Sequence, residues 1–359
     1  MSHQGTETET ETLVARLSHQ PQTLLRSVIT ISDPPEPPAP LQTRDRPSSL
    51  GALDRLPAEL LHEVLGHLDV QSLTRLSRTC YQANASLGCN SSYQHLLGHA
   101  ADTLAALSET ELIHRYSLSQ LDAVLQSQRC ETCPGYGAFL FLPTCERSCW
   151  QCLQFRPERL VVPPGVACKA LDLTAEEVQE LPLMTCIPGR YGTRQLLVDK
   201  VMSLVAVAHA MELAVSFYDS AEELREVLSQ LDITGSAAHT ARFLQRLLWV
   251  DDYFDAVLVP DRGSSLVGRY FGLASIRFPS LVRPDQIEYG HWCRGCEWVY
   301  DRRDRLPVDA IAQIAHADLD PDRVLLRMAR TAYSTAGFLE HIQHCYGAQR
   351  LLSEPAEED

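Results

Sequence analysis

Between residues 53 and 87, Leu56, Leu60, Leu61, Val64, Leu65 and Leu68 recur at helical spacing and fall on one apolar stripe. Pro57 suits a first helical position, which needs no amide donor. Asp69 is placed to cap a second helix carrying Leu73, Leu76 and Cys80. Two or three short helices in about forty residues bury too little surface to stand alone, so the stripe needs a partner in this chain or another. The helical pattern continues to 128. Further on, "RQLLVDKVMSLVAVAHAMELAVSF" and "AAHTARFLQRLLWVDD" read as helices. "FDAVLVP" and "RYFGLASIRFP" read as strands from their β-branched and aromatic content, and "TAGFLEHIQHCYGAQRLL" reads as a closing helix. Residues 1–48 are polar, with a Thr/Glu alternation and six prolines between 34 and 47, so a disordered tail is expected there. The acidic end, 351–359, is expected to be solvated. The resulting fold class is α+β, predominantly helical.

Composition narrows the function classes. The longest apolar run, 201–217, is interrupted by His209 and Glu212 and falls short of the roughly 18 apolar residues of a membrane span. The opening "MSHQGTETETET" has no basic stretch followed by an apolar core, so no secretory leader is expected and the protein is placed inside the cell, in cytoplasm or nucleus. The formal net charge is −15, with no dense Lys/Arg run, which argues against nucleic acid as a partner. In a reducing compartment, clustered cysteines point to metal or redox chemistry rather than disulfides.

Five of the twelve cysteines lie between 130 and 152. Cys130-x2-Cys133 and Cys149-x2-Cys152 stand fifteen residues apart, the spacing of a four-cysteine zinc site. Each pair turns two thiolates toward one centre, and two pairs complete a tetrahedron. Gly135 and Gly137 let the chain leave the first turn, "AFLFLP" supplies a returning strand, and the second pair sits where a helix can begin. A redox dithiol usually stands alone beside a βαβ unit, which this stretch lacks. Cys145 competes as a ligand, and spacing does not decide which four bind. A second candidate site pairs Cys293-x2-Cys296 with His341-x3-Cys345, forty-four residues on. On a helix, His341 and Cys345 lie one turn apart on one face. His291 and His344 are competing ligands, and a buried cysteine pair beside an exposed histidine is the plainer alternative. Four protein ligands leave no open position for substrate, so both sites would be structural.

The run "LPAELLHEVLGHLDVQSLTRLSRTC" closely resembles the F-box, the module that docks F-box proteins onto the Skp-type adaptor of a cullin ubiquitin ligase. The position that is often Trp or Phe late in that family is Ala83 or Asn84 here. The resemblance implies that Leu56, Pro57, Leu60, Leu61, Val64, Leu65, Leu68, Leu73 and Leu76 form the adaptor-binding set. Beyond it, the cysteine pairs together with "IPGRYG", "ASIRFPSL", "CRGCEW" and "HIQHCYGAQRLL" look like a group of fungal F-box proteins with cysteine-paired segments. The expected organisation is a disordered tail (1–48), an F-box (49–90), linking helices (91–128), a zinc-finger-like hairpin with four cysteines (129–155), a mixed domain with a split C2HC zinc site (156–350) and an acidic tail (351–359). The implied function is a non-catalytic substrate receptor that binds the adaptor and through it a cullin, with an unknown protein substrate held by the C-terminal region. The alternative is an adaptor-bound scaffold or regulator outside the ligase. An enzyme ranks last. His-Glu-x-x-His, phosphate-loop and nucleophile-elbow motifs are missing from the sequence. A RING interleaves its ligands in one short segment, whereas these two sets lie about 140 residues apart.

Overall fold

The computed structural model describes residues 2–32, 48–235, 237–249, 270–315 and 320–353. The chain opens with helix α1 (Ser2–Leu17), strand β1 (Ser18–His19) and the single turn α2 (Gln22–Leu25). A run of short helices follows: α3 (Ala58–Gly66), α4 (Val70–Ser77), α5 (Tyr81–Gly88), α6 (Ser91–His99), α7 (Ala101–Glu109) and α8 (Leu118–Gln126). The mixed part begins with β2 (Phe139–Phe141), β3 (Glu146–Ser148), α9 (Trp150–Phe155), β4 (Val161–Val162), α10 (Pro164–Leu171) and α11 (Ala175–Glu180). Next come β5 (Leu183–Thr185), β6 (Gly189–Tyr191), β7 (Leu196–Val198), β8 (Ser203–Ala206), α12 (Val207–Val215), α13 (Ala221–Gln230) and α14 (Ala238–Leu248). The last part holds β9 (Ser275–Arg277), β10 (Ser280–Arg283), β11 (Gln286–Glu288), β12 (His291–Cys293), α15 (Arg294–Asp301), α16 (Val308–Ile314), α17 (Pro321–Ala329), β13 (Ala332–Tyr333), α18 (Thr335–His344) and α19 (Tyr346–Ser353). The fold is α+β and mostly helical. None of the described helices is long and apolar enough to cross a membrane.

Side-chain caps cut the helical run into its pieces. Asp69 accepts from the Ser72 amide at 2.8 Å and starts α4. Cys80 caps α5 rather than closing α4, and Asn90 caps α6. Ser117 and Gln120 form a reciprocal capping box on α8. The module is then sewn to the body by the Leu118 amide donating to the Leu68 carbonyl at 2.8 Å. Leu65, Val70 and Leu73 enter the same core as Phe139, Leu140 and Phe141, which lie on the central strand of the sheet β3-β2-β9. A separate core for the helical module is therefore not what the packing provides.

Arg147 ties these parts together. Its guanidinium is buried and donates to the carbonyls of Val124 and Gly137, both at 2.7 Å, and to that of Pro279, while stacking over Phe278. Hydrogen bonding to several carbonyls is what makes a buried cation without a carboxylate tolerable.

Several expectations need correction. Residues 2–32 are not a structureless tail. Leu17, Leu24, Val28 and Ile29 are buried, β1 pairs with β12 at Ser18–Cys293, and the Ile29 amide donates to Ser275 at 2.8 Å. Gly272 makes this docking possible, since a Cβ there would lie 1.8 Å from the Ser27 carbonyl oxygen. The proline-rich stretch 33–47 lies outside the described residues, as do the expected strand "FDAVLVP" and the acidic residues 354–359. The stretch 194–217 is not one helix. Its first half forms β7 and β8, because β8 is the middle strand of the sheet β4-β8-β5, and only 207–215 is helical. The closing helix is likewise two, α18 and α19, broken at Cys345.

Candidate adaptor face and metal centres

The apolar stripe of α3 divides between two environments. Leu65 and, on α4, Leu73 are 2% and 0% exposed and belong to the chain's own core. Leu61, Leu68 and Leu76 are half-buried against it. Leu60 and Val64 are 48% and 41% exposed, with Pro57 exposed and Leu56 half-exposed beside them. Of the nine residues expected to bind an adaptor, Leu65 and Leu73 are thus closed to any partner. The outer row Pro57, Leu60 and Val64 is open. Two large apolar side chains one helical turn apart in water cost solvation free energy that a docked partner recovers.

The first cysteine group forms around a tight hairpin. The Cys130 amide donates to the Gly135 carbonyl at 2.8 Å, closing the first turn. Gly137 must be glycine because a Cβ would lie 2.8 Å from the Arg147 Cβ. Strand β2 and its partner β3 return the chain to Cys149, which caps α9 by accepting from the Cys152 amide at 3.4 Å. The sulfurs of Cys130, Cys133, Cys149 and Cys152 all lie within 4.8 Å of one another, with Cys133 and Cys149 at 3.6 Å. All twelve cysteines are free thiols. A tetrahedron with metal–sulfur bonds of about 2.3 Å has edges of about 3.8 Å, so the group has the dimensions of a tetrathiolate centre.

Electrostatics points the same way. Hydrogen bonds from Cys133, Cys149 and Cys152 hold the Cys130 thiol far below its ordinary range. Cys149 is pushed far above it by Cys130, Cys133, Cys152 and burial. Four crowded sulfurs on their own share protons; a divalent cation lets all four ionise. Cys145 is not gathered with them. It lies in the apolar core, where burial raises its thiol to about 12.

The second group is assembled from distant segments. Cys293 ends β12, Cys296 lies in the first turn of α15, His341 sits on α18, and Cys345 follows α18 in extended conformation. Cys345 sulfur lies 3.8 Å from Cys293 and 3.6 Å from Cys296, while His341 Nε2 is 3.2 Å from Cys296 sulfur. The four ligand atoms lie within 4.8 Å of one another. The His341 ring stacks on Tyr333 at 4.5 Å, which fixes its plane. Burial lowers the His341 pKa, but hydrogen bonds with Cys293 and Cys345 outweigh it and lift the imidazole to about 9. The donor set seeks a positive charge, and both groups can hold a metal ion. Neither competing histidine joins: His291 is engaged by Thr335 at 3.1 Å, and His344 is exposed.

Three residues of this centre escaped the sequence reading. Gly295 and Gly347 bring α15 and α19 into backbone contact, since a Cβ on Gly347 would lie 2.0 Å from the Gly295 carbonyl oxygen. Leu17 packs among Cys293, Cys296 and Cys345. The helical spacing of Leu13, Val14 and Leu17 was the available signal for the last.

A family model described as F-box-like matches residues 53–95, which spans α3 to α5 and the start of α6. No curated protein and no solved structure matches the chain.

Proposed function

We propose that this chain is the substrate receptor of a Skp–cullin–F-box ubiquitin ligase, a non-catalytic subunit that binds the adaptor through its N-terminal helical module. The observation that carries this reading is the open row Pro57, Leu60 and Val64 on a module that an F-box-like model matches. The set Leu56, Pro57, Leu60, Leu61, Val64 and Leu68 faces or supports the adaptor. Leu65 and Leu73 anchor the module to the body. Zinc occupies both ligand groups, since a set of four cysteines and a set of three cysteines with one histidine, neither with an open position, suit structural zinc. The linking helices after 90 and the mixed part after 129 hold the substrate at a fixed distance from the adaptor.

Leu60→Asp with Val64→Asp tests this directly. Burial of one such side chain is worth roughly 1.5–3 kcal/mol, and an unpaired carboxylate adds a desolvation cost. Both positions are exposed, so folding and metal content should be kept while capture of adaptor and cullin is lost. Wild-type chain that captures adaptor without cullin would move the assignment to a scaffold outside the ligase. Capture of neither would reject the F-box reading.

A further inference from the structure

Outside the adaptor row, exposed large apolar side chains group on the hairpin β6–β7 and the loop after it. Leu196, Leu197 and Val201 are 41%, 63% and 66% exposed, whereas Phe217, Val282 and Val308 stand singly along the sequence. Single exposed apolar residues need no explanation, but a group of them does. Strands β6 and β7 form a two-stranded sheet, with Arg190 opposite Leu197 and Tyr191 opposite Leu196. Successive strand residues project to opposite faces, so the exposure of Leu196 and of Leu197 leaves β7 open on both. Its edge away from β6 pairs with no described strand. A two-stranded hairpin is marginal alone in water, and a third strand stabilises it.

The foot of the hairpin is nonetheless fixed. Tyr191 is buried and its hydroxyl donates to the Ile187 carbonyl at 2.8 Å. The Gly192 amide donates to the Ser27 carbonyl at 2.9 Å, and Gln195 Nε2 donates to the Arg26 carbonyl at 2.8 Å. The body thus holds an uncovered apolar edge in place, and an edge already ordered costs a partner less to bind. Charge specifies the partner. Arg190, Arg194 and Lys200 are exposed and make no ion pair among the described residues. Asp199 is the single acid between 189 and 201, and Arg26 adds a fourth exposed cation at the foot. In a chain of net charge −15, this stretch carries a local excess of positive charge around its apolar residues.

We infer that the free edge of β7 receives an extended acidic segment of a protein substrate, added as a third strand. In strand addition the main chain supplies affinity and alternate side chains supply specificity. Apolar side chains of the segment would cover Leu197 and Val201, and its carboxylates would meet Arg190, Arg194 and Lys200, a complementarity that excludes basic segments. The inference deepens the receptor reading and rests on it for the word substrate. It also gives the ordered N-terminal segment a purpose, since the carbonyls of Arg26 and Ser27 hold the acceptor hairpin.

The test uses full-length, metal-loaded chain and a fluorescein-labelled peptide of alternating glutamate with valine or leucine, followed by anisotropy near 0.15 M salt, where exposed charges are screened beyond about 8 Å. The peptide should bind saturably. Arg190→Gln/Arg194→Gln/Lys200→Gln should weaken it at least about tenfold, and so should Leu197→Ser/Val201→Ser, since charge and apolar cover act together. A control triple on other elements, Arg75→Gln/Arg246→Gln/Arg305→Gln, should stay within about twofold. All these positions but Leu197 and Val201 keep a polar side chain, and unchanged metal content checks folding in every variant. Lys200 also gives a footprint, because the chain has only one other lysine, Lys169, whose Nζ donates to the Thr234 carbonyl at 3.3 Å. Bound peptide should slow acetylation of Lys200 and leave that of Lys169 unchanged. Failure of the peptide to bind, equal weakening by both triples, or equal binding of a lysine-for-glutamate peptide would overturn the proposal. Unchanged affinity for a peptide with proline at its centre would overturn strand addition. A wild-type dimer that Leu197→Ser/Val201→Ser converts to monomer would assign the edge to a second copy and overturn it too. Adaptor capture is read separately in pulldowns, so failure there sinks the receptor reading and leaves the peptide site standing, and the reverse holds.

Discussion

The two ligand groups share a chemistry and differ in how the chain builds them. The first takes all four sulfurs from residues 130–152, a hairpin whose turn closes through Gly135. The second needs residues 293–345, and its walls include Leu17 at the end of α1, held there by β1, whose Ser18 carbonyl accepts from Arg294 Nε 276 residues away in sequence. Loop closure grows costlier with the number of residues enclosed. A local site therefore organises its own segment, whereas a long-range site organises the molecule by pinning both chain ends to one small core of Leu17, Phe338, Ile342 and Ala348.

The most direct challenge to this contrast is to empty the centres one at a time. Structural zinc sites bind with apparent free energies of about 10–16 kcal/mol in finger peptides, and that binding is folding energy. Elemental analysis should find two zinc ions per chain, falling to one in Cys133→Ser and one in Cys296→Ser. Hydrogen exchange should then separate them. Cys296→Ser should deprotect 2–19, 293–301 and 335–353 together, while Cys133→Ser should loosen 130–137 and leave α1 docked. Protection of 2–19 that survives Cys296→Ser would contradict the long-range role of the second centre.

A smaller effect comes from the wall rather than the ligands. Leu17→Ala removes a fully buried side chain and should cost about 2–5 kcal/mol of the stability read by denaturant unfolding. Metal retention against a chelator should fall at the second centre and hold at the first. Gly347→Ala should act in the same direction through the α15–α19 contact, at about 1–3 kcal/mol, the usual cost of overpacking. The smallest effect should be that of Cys145→Ala. Its sulfur is outside the first group, so both ions should remain, with a loss of about 1 kcal/mol for one buried group of methyl size.

Much of the site was legible because its geometry is local. Cys-x2-Cys pairs, the returning strand at Phe139–Phe141 and the helix start at Cys149 depend on contacts within a few residues, and these are the features that spacing reports. His341 and Cys345 were legible as a pair by the wrong route. Their spacing suggested one continuous helix, but the chain leaves α18 at Cys345 because its sulfur must reach Cys293 and Cys296. The strands at 196–206 were misread for a related reason. Val205 and Ala206 are helix-compatible residues that become strand by pairing with Leu183 and Val161, a choice made by segments they meet only after folding.

Residue order alone sets the caps at Asp69 and Ser117, the ligand spacings, the short-helix module at the F-box-like match and the mostly helical α+β class, since each follows from interactions within about one turn or one hairpin. Which leucines of a single stripe face outward is settled by packing: Leu60 is open and Leu65 closed because the body packs against one edge of α3 and not the other. The N-terminal segment makes the same point. Its Thr/Glu composition reads as a tail, and it is ordered from Leu13 to Ile29 because the second centre and the edge of β9 supply the apolar and hydrogen-bonding partners that its own neighbours in sequence do not.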